Sequence, residues 1–263
     1  MPRYAANLNL LFNEVPMLER YGRAAAAGFT HVEVLFPYKD GADRVAEELK
    51  RHNLELVLFD TEPGDFAGGD RGYLCQPGQG DYLEQTFRDA VELAGRLGCR
   101  RLNVLAGNLL DGVSRDDHRR AAAEGLKRLA PLAERAGIML LIEALNAPAN
   151  PRYFLTNSKL GFELVRAVGS PAVKFQYDAY HLQVMEGNLI ETVTKNMGDI
   201  GHVQIGDVPG RHEPGTGEVN YANFFAALDR SGYDGYVGLE YIPAGNTEEG
   251  LDAWLPRAAR ANR

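Results

Sequence analysis

The chain has 263 residues, 45% hydrophobic and 24% charged, a balance typical of a folded globular protein rather than a disordered one. Its formal net charge of −8 disfavours binding to the phosphate backbone of nucleic acids. No apolar run approaches the roughly 20 residues of a membrane-spanning helix and no signal pattern follows Met1, so we expect no membrane partner and a cytoplasmic location.

Strand-like and helix-like segments alternate along the whole chain. The strands are predicted near Arg3–Leu10, Thr30–Phe36, Glu55–Asp60, Arg101–Ala106, Ile138–Glu143, Ala172–Asp178, Gly201–Ile205 and Tyr236–Glu240. The helices are predicted near Met17–Ala27, Ala42–His52, Leu83–Leu97, Arg115–Arg135, Lys159–Val168, Asn188–Met197, Tyr221–Ser231 and Glu248–Ala261. Eight units in 263 residues average about 33 residues each, the size of a βα repeat.

This order predicts an α/β protein, with residues 1–263 forming a single (β/α)8 TIM barrel. A doubly wound open sheet is the structural alternative, but such sheets usually carry a glycine-rich phosphate loop after the first strand, and none follows here. Two long loops follow predicted strands, Thr61–Tyr82 and Gly206–Asn220. Both belong on the C-terminal face of a barrel, where we expect the active site.

Polar residues end several strands that should otherwise be apolar on both sides. Glu143, Asp178, Gln204 and Glu240 stand at the C-terminal ends of four successive strands, so they converge at one rim of the barrel. Any one of them alone could be a helix N-cap or a loop residue. Together, three carboxylates and an amide form a set of hard oxygen ligands that favours Mg²⁺ or Mn²⁺.

Two further residues near this rim suit substrate binding. His181 follows Asp178 by three residues and could donate to a substrate hydroxyl or carboxylate. Arg211, in the second long loop, is a natural partner for an anion in an otherwise acidic site, although it could equally be a solvated loop residue. His202 is favoured as a hydrogen-bonded barrel histidine over a metal ligand, and Glu33 has the same in-barrel parity as the site residues.

Several segments resemble the hydroxypyruvate isomerase family of the xylose-isomerase-like (endonuclease-IV-like) barrels. They are AANLNLLFNEVP, VEVLFPY, LFDTEPGD, GDRGYLCQPG, LIEALN, FQYDAYHLQVMEGNL, GHVQIGDVPGRHEPGTGEVNY and GYVGLEYIP. The resemblance runs from Arg3 to about Pro243, and its opening segment also resembles the 2-oxotetronate isomerases.

The resemblance implies an aldose–ketose-type isomerase with a small 2-oxo acid as its substrate. It implies that Glu143 and Glu240 are the proton-transfer pair, that both also bind the metal with Asp178, and that His181 touches the substrate. Related ketose 3-epimerases have a histidine where Gln204 stands, and an amide is a poorer ligand for most transition ions. Endonuclease IV gathers several histidines around three zinc ions, a cluster that this acidic chain does not match.

We expect the interconversion of hydroxypyruvate and tartronate semialdehyde through a cis-enediolate. The alternatives are a 2-oxo-tetronate isomerase, a ketose 3-epimerase acting on free sugars, and a non-enzymatic barrel that binds sugar acids. Both glutamates, Glu143 and Glu240, argue against a mere binder, which has no use for a proton-transfer pair. Relatives of this kind assemble, so a homo-oligomer is possible.

Overall fold

Eight parallel strands close into a barrel in the computed structural model, which describes residues 2–261. The strands are β1 (Arg3–Asn7), β2 (His31–Glu33), β3 (Glu55–Asp60), β4 (Arg101–Asn103), β5 (Met139–Glu143), β6 (Val173–Asp178), β7 (Ile200–Ile205) and β8 (Tyr236–Leu239). Each pairs with the next in sequence, and β8 pairs with β1, where Ala5 lies opposite Gly238. The predicted (β/α)8 fold class is confirmed.

Helices connect the strands and cover the outside of the barrel. They are α1 (Met17–Ala26), α2 (Ala42–His52), α3 (Gly80–Leu97), α4 (Arg115–Ala136), α5 (Ser158–Val168), α6 (Ala179–Met185), α7 (Leu189–Lys195), α8 (Tyr221–Arg230), α9 (Thr247–Trp254) and α10 (Arg257–Arg260). Three of them end at a glycine in the left-handed backbone conformation, as the position of each glycine before a strand predicts. These are Gly98 after α3, Gly137 after α4 and Gly169 after α5.

Three strands, β1, β2 and β4, are shorter than predicted, and two helices differ from the prediction. Helix α6 was not predicted; it begins directly at the end of β6 because the Asp178 carboxylate caps it. The predicted helix Glu248–Ala261 is two helices, α9 and α10. Pro256 disfavours a helical conformation at the residue before it, and Leu255 is extended there (φ −122°, ψ 96°).

A polar layer crosses the barrel interior beneath its C-terminal rim. The carboxylate of Glu33 on β2 accepts hydrogen bonds from Gln204 (3.0 Å) and Asn7 (3.4 Å), and it also contacts His202 Nε2. Gly238 on β8 makes room for this carboxylate, since a Cβ at Gly238 would overlap Glu33 Oε1. Residues of β1, β7 and β8 thereby contact one buried acid on β2, so four strands meet at its carboxylate. His202 is the hydrogen-bonded histidine that the sequence favours.

None of the helices within residues 2–261 has the length and apolar character needed to cross a membrane.

The Gly238 contact generates a test of the polar layer. We expect Gly238→Ala to lower the free energy of unfolding by about 1–3 kcal/mol, because the added methyl group displaces the Glu33 carboxylate from a closely packed interior. Urea unfolding followed by circular dichroism measures this change. The matched control is Gly95→Ala in α3, where a Cβ meets no atom within 4 Å and the gain in helix propensity stabilises by about 0.5–1 kcal/mol. An unchanged stability of Gly238→Ala would show that Glu33 is not packed against β8.

Candidate active site

The four polar residues predicted at strand ends lie at the C-terminal rim of the barrel. Glu143 ends β5, Asp178 ends β6, Gln204 lies near the end of β7 and Glu240 directly follows β8. Asp178 is in register with Gln204, which in turn is in register with Gly238. All four side chains are buried, so their polar atoms depend on protein partners rather than on bulk water.

Asp178 serves the fold and the site with different oxygens. Its Oδ1 accepts the backbone N–H groups of Tyr180 (2.8 Å) and His181 (3.3 Å), which caps α6. Its Oδ2 faces the site, 3.2 Å from Arg211 Nη2 and 3.5 Å from His181 Nε2. Asp178 is therefore a helix N-cap whose second oxygen faces the other predicted site residues.

Arg211 lies between two carboxylates of the site. Its Nη2 is 2.8 Å from Glu240 Oε1 and 3.2 Å from Asp178 Oδ2, and its Nε donates to the backbone carbonyl of Glu240 at 3.1 Å. The guanidinium also lies over the ring of Tyr180, 4.9 Å from its centre. Burial disfavours the charged guanidinium, but the carboxylates of Glu240, Asp178 and Glu143 outweigh that effect and raise the pKa of Arg211.

The loop that carries Arg211 is organised around one buried carboxylate that sequence reasoning missed. Asp207 accepts four backbone N–H groups of its own loop at 2.9–3.0 Å, those of Val208, Gly215, Gly217 and Val219. Four such bonds hold a long glycine-rich segment in one conformation. The position of Asp207 two residues after the end of β7, at the start of a loop rich in glycine, was the available signal.

Two more strand-end residues belong to the site and were also missed. Asp60 ends β3 and Asn103 ends β4. The Asn103 amide donates to Asp60 Oδ1 and to Glu143 Oε2, each at 3.1 Å, so it bridges the two carboxyl groups. The parity argument that selected Glu143 and Asp178 applies equally to these positions.

Burial changes the ionisation of the site. Desolvation raises the pKa of Glu143 well above its usual range, and the charges of Glu240, Asp178 and Asp60 add to that shift. Desolvation also raises the pKa of Glu240 to about 8, against the opposing effect of Arg211. The pKa of Asp60 is raised to about 8, again chiefly by burial. Burial lowers the pKa of His181 to about 4, which keeps its imidazole neutral.

The amide of Gln204 is held from both sides. Its Nε2 donates to Glu33 Oε2 at 3.0 Å, and its Oε1 accepts from Gln176 Nε2 at 2.6 Å. Because a carboxylate only accepts, Glu33 fixes which end of the amide faces it. The carbonyl oxygen keeps a second lone pair beyond the bond from Gln176.

Within residues 2–261, one cluster of three acidic or histidine side chains is close enough to hold a metal ion. Glu143, Asp178 and His181 each offer one ligand atom, and these atoms lie within 4.8 Å of one another. Buried carboxylate oxygens suit a hard divalent cation, which would also relieve their mutual repulsion. Glu240 lies outside this group and pairs with Arg211.

Comparisons with known proteins agree with this fold. The family model described as Xylose isomerase-like TIM barrel matches residues 22–258. A crystal structure from Brucella melitensis, described as an AP endonuclease of family 2, superposes with a TM-score of 0.94 and is 43% identical, covering 97% of this chain and 99% of that one. The chain is a xylose isomerase-like barrel.

Curated relatives identify the family of this chain more specifically than the fold does. The 2-oxo-tetronate isomerase of Pectobacterium atrosepticum is 41% identical over 263 residues, which cover 98% of this chain and 99% of that protein. The hydroxypyruvate isomerase of Escherichia coli is 40% identical over 259 residues, with 97% and 98% covered. The chain therefore belongs to the family of hydroxypyruvate and 2-oxo-tetronate isomerases, and the expected enzyme class, an isomerase, is confirmed.

The raised pKa of Asp60 makes the stability of the protein depend on pH. The folded protein holds the Asp60 proton up to about pH 8, whereas the unfolded chain releases it near 3.8, so the free energy of unfolding falls as pH rises between these values. Asp60→Asn retains an oxygen for the Asn103 amide and removes this titration. We expect the stability of Asp60→Asn relative to the parent to rise through this window, by at most about 1.4 kcal/mol per pH unit.

Urea unfolding at several pH values measures this difference. Asp65→Asn is the matched control, because Asp65 lies in the exposed part of the β3–α3 loop. A stability difference for Asp60→Asn that does not change with pH would contradict the burial argument.

Proposed function

We propose that this isomerase interconverts hydroxypyruvate and tartronate semialdehyde. The observation that supports the proposal most is the pair of buried glutamates, Glu143 and Glu240, at one barrel rim beside Arg211. Burial raises the pKa of both above that of a free carboxyl group, that of Glu240 to about 8, and a raised pKa makes a carboxyl group a stronger base toward a substrate proton. Arg211 supplies the positive charge that an anionic 2-oxo acid requires.

The reaction needs one proton to move between two neighbouring carbons. A glutamate removes a proton from C3 of hydroxypyruvate, the electron pair forms the C2–C3 double bond, and the negative charge passes to O2 as a cis-enediolate. A glutamate then returns a proton to C2. The hydroxyl proton on O3 moves to O2 as the C3 aldehyde forms, so the product is tartronate semialdehyde and all atoms are conserved.

Two other side chains are assigned to binding. Arg211 forms a charge-assisted bond with the substrate carboxylate or the enediolate oxygen, and His181 donates a hydrogen bond to a substrate oxygen. The neutral state of His181 suits a donor role rather than an exchange of charge with the substrate. Both groups are fixed before substrate enters, by the carboxylate contacts of Arg211 and by the bonds of His181 to the β5–α5 loop.

Mg²⁺ or Mn²⁺ is the proposed cofactor, with Glu143, Asp178, Gln204 and Glu240 as its predicted ligands. A divalent cation supplies Lewis-acid stabilisation of negative charge on the substrate carbonyl oxygen. Glu143 and Asp178 support this set, because their ligand atoms lie within 4.8 Å of each other, whereas Glu240 would have to exchange its contact with Arg211 for the ion. The second lone pair of Gln204 Oε1 is compatible with a weak fourth ligand.

Proton NMR in D₂O tests the reaction directly. We expect purified protein to convert hydroxypyruvate into tartronate semialdehyde with deuterium at C2, because the transferred proton exchanges with solvent on the glutamate. Parallel samples with Mn²⁺ and with EDTA test the cofactor, and we expect EDTA to slow the conversion. No product and no exchange with either hydroxypyruvate or 2-oxo-tetronate would refute the assignment to these acids.

A 2-oxo-tetronate isomerase is the second candidate. Relatives with that name are 39–41% identical to this chain, while the hydroxypyruvate isomerase of Escherichia coli is 40% identical. The chemistry is the same, and the substrates differ by one CHOH group. The larger kcat/KM decides between the two acids. DNA cleavage, suggested by the description of the Brucella structure, receives less support because the chain carries a net charge of −8.

Substitution of each glutamate tests the proton-transfer pair. We expect Glu143→Gln and Glu240→Gln each to lower kcat by about 100-fold or more, because an amide cannot exchange the proton. Glu47→Gln on the exposed face of α2 is the matched control and should retain full activity. Calorimetric binding of substrate to both variants separates an isomerase from a sugar-acid-binding barrel, and full turnover by both variants would remove these residues from the mechanism.

We also propose a cytoplasmic location. Cys75 and Cys99 are both buried free thiols, which suits a reducing compartment. Glyoxylate metabolism and sugar-acid catabolism both fit the proposed substrates.

A further inference from the structure

A turn after β5 holds the imidazole of His181. Asn146 lies in this turn and is almost completely buried. Its backbone N–H lies 3.1 Å from His181 Nδ1, and its side-chain Nδ2 lies 2.7 Å from the same ring nitrogen. His181 is on α6, so these contacts join the β5–α5 loop to the helix that Asp178 caps.

The direction of both hydrogen bonds follows from groups that can only donate. The backbone N–H of Ala149 donates to Asn146 Oδ1 at 2.9 Å, which fixes the oxygen of the amide on the Ala149 side and its NH₂ group on the His181 side. The backbone N–H of Asn146 is likewise a donor only. His181 Nδ1 therefore meets two donors and must accept, so it carries no hydrogen.

A neutral imidazole with an unprotonated Nδ1 carries its hydrogen on Nε2. His181 Nε2 faces the site, 3.5 Å from Asp178 Oδ2. In this tautomer Nε2 has no lone pair for a cation, although His181 is one of three residues whose possible ligand atoms lie within 4.8 Å of one another. Ligation through Nε2 would require a hydrogen on Nδ1, directed at two N–H groups.

We propose that Asn146 is a positioning residue that holds His181 as the Nε2–H tautomer, so that His181 acts in the site as a hydrogen-bond donor and not as a metal ligand. A substrate oxygen, carbonyl or enediolate, is the acceptor that this donor fits. The role of His181 toward substrate rests on the proposed function. The tautomer itself does not, because it is set by the protein alone.

Asn146→Asp removes the side-chain donor to His181 but keeps the hydrogen bond that holds the turn. The aspartate keeps an oxygen for the Ala149 N–H and replaces the NH₂ group beside Nδ1 by a second acceptor. Asn157→Asp is the matched control, since Asn157 caps α5 by accepting from Leu160 N–H and an aspartate caps a helix equally well. Urea unfolding of both variants confirms that each retains its fold.

Two-bond ¹H–¹⁵N NMR of the histidine rings in the free protein reads the tautomer, with the His181 signals assigned by their loss in His181→Gln. We expect the Nε2–H form in the parent and in Asn157→Asp, and an increased share of the Nδ1–H or doubly protonated form in Asn146→Asp. An Nδ1–H ring in the parent, or an unchanged ring in Asn146→Asp, would overturn the proposal. This measurement decides it even if neither acid is turned over.

Kinetics then test the positioning role. Outer partners of metal-bound histidines contribute about 10–100-fold to affinity or activity, and we expect a loss of kcat/KM of similar size for Asn146→Asp, whose partner orients a substrate donor, and none for Asn157→Asp. A changed tautomer in Asn146→Asp with unchanged kcat/KM would show that the donor has no role in turnover, and the positioning role would be withdrawn.

Discussion

The contact of one guanidinium with two buried carboxylates is the constraint around which the rest of the site is arranged. Arg211 reaches Asp178 at the end of β6 and Glu240 just after β8, across the intervening strand β7. Its partly buried charge is compensated only because all three groups are held in place. Asp178 is fixed as a helix cap, and Arg211 is fixed by a loop wrapped around the Asp207 carboxylate. A site built on a strand end and on a backbone-bonded loop is preorganised before substrate arrives.

The polar layer below the rim extends the same principle into the barrel. Glu33 lies where most barrels place branched aliphatic side chains, and it is tolerated because His202, Gln204 and Asn7 surround it and Gly238 leaves space. This layer orients the amide of Gln204 toward the site. Gln204, one of the predicted metal ligands, is thus positioned by hydrogen bonds to residues of two other strands, Glu33 on β2 and Gln176 on β6.

The sequence was sufficient for the barrel and for residues whose position follows from strand parity. Parallel strands place Glu143, Asp178, Gln204 and Glu240 at one rim whatever the details of packing, and Asp60 and Asn103 obey the same rule. Parity does not reveal hydrogen-bond partners. The pairing of Asn103 with two carboxyl groups and that of Asn146 with His181 depend on side-chain distances across strands and loops. Helix α6 was not predicted because the sequence shows that Asp178 ends a strand but not that its carboxylate accepts the N–H groups of the next turn while its other oxygen faces the site.

Burial also reconciles an acidic site with the anionic substrate that we propose. Four ionised carboxylates facing one guanidinium would repel a 2-oxo acid. Desolvation raises the pKa of Glu143, Glu240 and Asp60, so these groups hold protons at neutral pH to an extent that free carboxyl groups do not. A lower negative charge at the rim weakens the repulsion of a 2-oxo acid, while Arg211 keeps its contacts with Glu240 and Asp178. The burial that raises the pKa of the glutamates for proton exchange therefore also lowers the electrostatic barrier to binding. Both effects arise because polar strand ends are buried inside an apolar barrel.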